Sequence, residues 1–148
     1  MATTAEGRTP VHLWIVGLVA TLWNLLGATG YVVARMEDAE LMRKIAPGVD
    51  PEVALAYTNG MPIWASFGWG LGVWAALLGS ILLLLRNRYA VHAFALSLIG
   101  IVLSFSYQFL VDQPPPGMDG KVMPALVIVI GIALFLYARA QHRKGVLR

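Results

Sequence analysis

Four long apolar stretches decide what this chain can become. They run over residues 11–33, 63–85, 89–110 and 122–138, and none contains an Asp, Glu, Lys or Arg. A helix needs about 20 mostly apolar residues to cross about 30 Å of hydrocarbon, where only an internally hydrogen-bonded backbone is stable. The pattern predicts an all-α membrane protein: a four-transmembrane-helix bundle forming one integral membrane domain over residues 1–148. The fourth stretch is the shortest. Arg139 can lend it another turn by snorkelling, with its stem along the apolar layer and its charge at the surface. Composition agrees: 58% of the chain is hydrophobic and 13% charged, against about 45–50% and about 25% in soluble domains. Soluble and disordered readings are therefore poor.

The first stretch follows Arg8, as a signal peptide would. It is longer than the apolar core of a signal peptide, about 7–15 residues, so it is read as a retained anchor. Charge sets the orientation. One side carries Arg8, Arg86, Arg88, Arg139, Arg143, Lys144 and Arg148 against Glu6 alone. The other carries Arg35, Arg43, Lys44 and Lys121, offset by Glu37, Asp38, Glu40, Asp50, Glu52, Asp112 and Asp119. The positive-inside rule then puts both termini in the cytoplasm. Trp14, Tyr89 and Tyr137 near one boundary, and Tyr31, Trp64 and Tyr107 near the other, fit the aromatic belts of a membrane protein. The net charge of +3 is thus explained by topology. It implies the lipid bilayer as partner and no nucleic acid. Cysteine is absent, which removes disulfides and thiolate chemistry.

The three-residue turn Arg86-Asn87-Arg88 forces spans two and three into a tight antiparallel hairpin. Pro114-Pro115-Pro116-Gly117 makes a stiff turn before span four. The outer loop 34–62 is the distinctive part. Met36, Ala39, Met42 and Ile45 recur at helical spacing and predict a short amphipathic helix, stopped by Pro47-Gly48. Asp50-Pro51-Glu52 reads as a second helix start, with a cap, a Pro at the first position and an early acid. The loop is either an apolar connector or a lid, and the connector reading is preferred.

Small and polar residues fall in stripes. Gly68, Gly72, Ala76 and Ser80 recur every fourth residue in span two and predict a helix-packing face. Asn24 sits near mid-depth in span one, where an unpaired amide is costly. An interhelical bond to Ser97 or Ser104 is the simpler reading, and a ligand contact the functional one. Ser104, Tyr107 and Gln108 make one end of span three polar and complete the ligand-binding candidates. Tyr57, Trp64 and Trp69 are expected nearby, and together they suit a sugar or quinone headgroup, or equally an aromatic belt. His12 and His92 have similar depth on two spans, the arrangement of a bis-histidine haem, although a headgroup-level His explains each as well. No catalytic arrangement, metal cluster or intramembrane carboxylate is legible, so the chain is read as non-enzymatic and without a cofactor.

Leu22-Trp23-Asn24 with Gly27-Ala28 resembles a family of small bacterial inner-membrane proteins. So do Met61-Pro62-Ile63-Trp64, Gly72-Val73-Trp74, Leu78-Gly79-Ser80, Arg86-Asn87-Arg88-Tyr89-Ala90-Val91 and Ser97-Leu98-Ile99-Gly100. Some members of that family carry the label "sugar transporter". More distantly the layout is similar to DoxX-like four-span proteins, some of which serve quinone-linked redox complexes. One departure is Gly30, where the resemblance implies an acid. The resemblance implies four helices in a bacterial inner membrane, and names no binding residues.

The leading expectation is a non-catalytic accessory or scaffolding subunit, as a homo-oligomer or in a hetero-complex with another membrane protein. The alternatives are an oligomeric transporter for a neutral solute such as a sugar, and a haem- or quinone-binding redox subunit.

Overall fold

The computed structural model describes residues 8–148. Among them are six helices: α1 (Val11–Met36), α2 (Ala39–Ile45), α3 (Pro51–Asn59), α4 (Ile63–Leu84), α5 (Ala90–Leu110) and α6 (Val122–Arg143). α1, α4, α5 and α6 are each long and apolar enough to cross a membrane. The chain is a multi-pass membrane protein. α1 runs past its expected end at Val33 because Arg35 finds an intramembrane-edge partner: its guanidinium lies over the Tyr31 ring at 5.3 Å and the Trp69 ring at 5.8 Å. α6 likewise continues through Arg139 to Arg143.

α4 and α5 form the central hairpin, and glycine lets them meet. A Cβ added at Gly100 would strike the backbone of both Gly68 and Gly72. The Phe94 ring sits over Gly79, where a Cβ would lie 2.9 Å from it. Ser97 then donates to the Gly72 carbonyl at 2.7 Å. This is close backbone packing of the kind that apolar solvent requires, since lipid gives no hydrophobic drive for helices to associate.

The hairpin turn is built on Arg86, which adopts the left-handed conformation at φ 57°. Asn87 N–H donates to the Leu82 carbonyl at 2.8 Å and Arg86 N–H to the Leu83 carbonyl at 3.0 Å. These two bonds are the Schellman closure that satisfies the last carbonyls of a helix. α6 ends in the same motif, with Gly145 at φ 73° and Val146 N–H on the Gln141 carbonyl at 3.0 Å. The two ends then pair. Arg148 N–H donates to the Arg86 carbonyl at 2.8 Å, and Arg88 N–H to the Arg148 carbonyl at 3.0 Å. Leu147 is 2% exposed, inserted among Leu13, Leu83, Ala90, Phe94 and Ala138.

α1 packs against α4, and α6 against α5, on either flank of the hairpin. At the end carrying residues 86–88 and 145–148, here the terminal end, α1 and α6 converge. His12 Nδ1 and the Tyr137 hydroxyl are hydrogen-bonded there, ring edge to face. The opposite end carries the connector 37–62 and the proline turn. α2 starts at Asp38, whose side chain accepts from Leu41 N–H at 3.0 Å. α3 starts at Asp50, which accepts from Glu52 N–H at 2.9 Å, with Pro51 at the first position. Met42, Ala54 and Leu55 bury themselves against Val33 and Ala34, with Met118 of the proline turn beside them. The connector is thereby docked on the bundle.

Candidate functional site

The helices that converge at the terminal end separate toward the connector end. The gap between α1 and α6, floored by α4 and α5, is a cavity of about 530 Å³. That is within the range of about 300–1,000 Å³ typical of small-molecule sites. One wall is α1, from Trp23 to Gly30, and the facing wall is α6, from Met123 to Leu134. Phe94 and Leu134 close the terminal side, and Ile45 and Ala46 of the connector cover the other. No ionisable side chain lines it among the described residues.

The polar groups in the cavity divide by whether the protein already satisfies them. Asn24 Nδ2 donates to Ser80 Oγ at 2.7 Å and to the Ala76 carbonyl at 3.2 Å. The expected partners Ser97 and Ser104 are not the ones it meets. Ser80 in turn donates to the Ala76 carbonyl at 2.9 Å. Ser97 spends its hydroxyl on Gly72, as above. Ser104 and Gln108, by contrast, line the cavity without a side-chain hydrogen bond among the described residues, and Ser104 is 4% exposed. They stand one helical turn apart on the same face of α5.

Tyr107 belongs elsewhere. Its hydroxyl donates to Asp112 Oδ2 at 3.3 Å, and its ring packs edge-on to Trp64 and against Tyr57. Tyr57 donates to the Asp112 carbonyl at 2.9 Å. Burial, then the neighbouring Tyr107 and Asp112, push the Tyr57 phenol up to about 12, so it remains a neutral donor. This cluster ties α3 to the end of α5 and faces away from the cavity. The expected group of Ser104, Tyr107 and Gln108 is therefore split, with Ser104 and Gln108 on the cavity and Tyr107 behind it. Trp69 also leaves the expected cluster. It packs against Tyr31, centroids 4.9 Å apart, and joins the cavity wall.

The packing stripe divides too. Gly68 and Gly72 face α5, whereas Ala76 and Ser80 meet Asn24 of α1. His12 and His92 have different neighbours: His12 is bonded to Tyr137, and His92 packs on Tyr89. Sequence reading noted Gly27 and Gly30 only for the family resemblance and did not place them among the site residues. Both line the cavity, and a Cβ added at either meets nothing within 4 Å. Two glycines three residues apart in mid-helix were the one signal available, and they do not by themselves show whether another helix stands opposite. No family profile, curated protein or solved structure matches this chain.

Proposed function

We propose that the protein is a non-catalytic accessory protein of the bacterial inner membrane, with both termini cytoplasmic, that holds a small neutral molecule between α1 and α6. The observation that carries this reading is the uncharged cavity of about 530 Å³ walled by all four long helices. Asn24 Nδ2 and the Ser97 hydroxyl donate within the protein and serve packing, while Ser104 and Gln108 supply free donors and acceptors for a binding site. Work as a homo-oligomer, or beside another membrane protein, is part of the proposal. The seven basic residues named above support the orientation.

Native mass spectrometry of the protein, extracted from its own membrane in mild detergent, tests it. The expected mass exceeds that of the polypeptides by one small molecule per chain, and Gly27→Trp abolishes the excess. An intact wild-type assembly with no such excess overturns the binding reading.

A second reading is permeation of a neutral solute such as a sugar. Gln108 favours it, because the same residue also lines a recess of about 220 Å³ with Asp119 and Lys121 at the connector end. Uptake into liposomes, reduced in Asn24→Ala and Gln108→Ala, separates permeation from retention.

A further inference from the structure

The rim of the cavity shows from which solvent its occupant comes. Leu26 on α1 and Met123 on α6 line the cavity, yet they are 71% and 60% exposed. Leu26 lies near the middle of the apolar span α1, so the rim there borders hydrocarbon, whereas Met123, two residues after Lys121, marks the headgroup-level end of the rim. At the connector end, Ile45 and Ala46 lie over the cavity. The open side is the gap between α1 and α6, where Gly27 and Gly30 present no side chain at all.

The interior is asymmetric along its length. Near the connector end stand the Ser104 hydroxyl and the Gln108 amide, both donors and acceptors without side-chain hydrogen-bond partners among the described residues. At the other end stand Phe94, Ile130 and Leu134, all apolar. Phe94 and Gln108 are separated by about 21 Å along α5, at about 1.5 Å per residue. Among the described residues that line the cavity, no cation stands ready to neutralise an anionic head and no anion to neutralise a cationic one. An unpaired charge in such surroundings carries a large desolvation cost.

Resting on the binding reading above, we propose that the occupant is a neutral single-chain amphiphile drawn sideways from the bilayer between α1 and α6. Its hydroxyl or carbonyl head bonds Ser104 and Gln108, and its chain runs toward Phe94 and Leu134. A two-chain lipid is too large to be enclosed here, and a sugar would leave the apolar end unfilled.

The experiment uses the full chain in phosphatidylcholine vesicles and 1-hexadecanol carrying a diazirine at the far end of its chain. Photolabelling is expected to saturate, with adducts at Phe94, Ile130 and Leu134. Ionised hexadecanoate with the same diazirine labels these positions at least about tenfold less, because its charge finds no partner. Gln108→Leu lowers labelling by about fivefold, the scale of one hydrogen bond. Gly27→Trp removes it by filling the space that is open at that Cβ, and a thermal melt of the same variant separates a blocked site from a lost fold. Adducts scattered over the exposed positions Val129 and Ile132, or equal labelling by alcohol and carboxylate, overturn the proposal. If the native mass retains a small molecule but hexadecanol does not label, the ligand class is wrong and the binding reading stands. If neither is seen, both fall.

Discussion

The α4–α5 hairpin and the α1–α6 pair use glycine for opposite ends. In the hairpin, Gly68, Gly72 and Gly100 are absent side chains that another backbone occupies. Between α1 and α6, Gly27 and Gly30 are absent side chains that nothing occupies. The first arrangement gives van der Waals contact where lipid supplies no hydrophobic drive. The second preserves a volume. The hairpin is thus the rigid floor, and the flanking helices are walls fastened at one end, where His12 bonds with Tyr137 and Leu147 fills the space between them.

The largest expected effect is on the floor. Gly100→Ala places a carbon against the Gly72 backbone, which cannot move aside as a side-chain tip would. The loss of stability should reach the top of the about 1–3 kcal/mol range for overpacking. Thermal unfolding in detergent measures it. A wild-type midpoint would mean that the hairpin is not held by this contact.

Leu147→Ala attacks the fastening instead. Leu147 is 2% exposed, and truncating a buried Leu costs about 2–5 kcal/mol; a residue beyond the last helix should fall near 2. The informative readout is geometric. Spin-label distances between α1 and α6 should lengthen at the terminal end, while the hairpin distance stays fixed. If both distances hold, residues 145–148 decorate the bundle rather than fasten it.

Much of this was legible because its causes are local. The spans were readable since hydrocarbon permits only long apolar helices. The start of α3 was readable because Asp50, Pro51 and Glu52 act on their own neighbours. What depends on rotation about a helix was harder. A four-residue step turns about 40° beyond a full revolution at 3.6 residues per turn. The stripe from Gly68 to Ser80 therefore begins on α5 and ends on α1, which is why Asn24 meets Ser80 and not Ser97 or Ser104. Adjacent residues diverge more, by about 100°. Tyr107 and Gln108 were grouped by sequence and are divided by that angle. The cavity was not legible at all, because it depends on how far α1 stands from α6, and no residue in either helix records that distance.

The smallest stability effect tests the comparison most directly. Alanine is favoured over glycine in a helix interior by about 0.5–1 kcal/mol from backbone entropy alone. At Gly27 the added methyl meets nothing within 4 Å, so no steric cost opposes that gain. Gly27→Ala is therefore expected to leave thermal stability unchanged or raise it slightly, the reverse of Gly100→Ala. The methyl also enters the cavity, so occupancy by a small molecule, read as the ligand-bearing fraction in native mass spectra, should fall. Greater stability with lower occupancy is the signature of a residue retained for binding at a cost to folding. A destabilised Gly27→Ala would instead mean that α1 closes against α6 in the membrane. Gly27 would then be a contact glycine like Gly100, and the difference between the two regions would disappear.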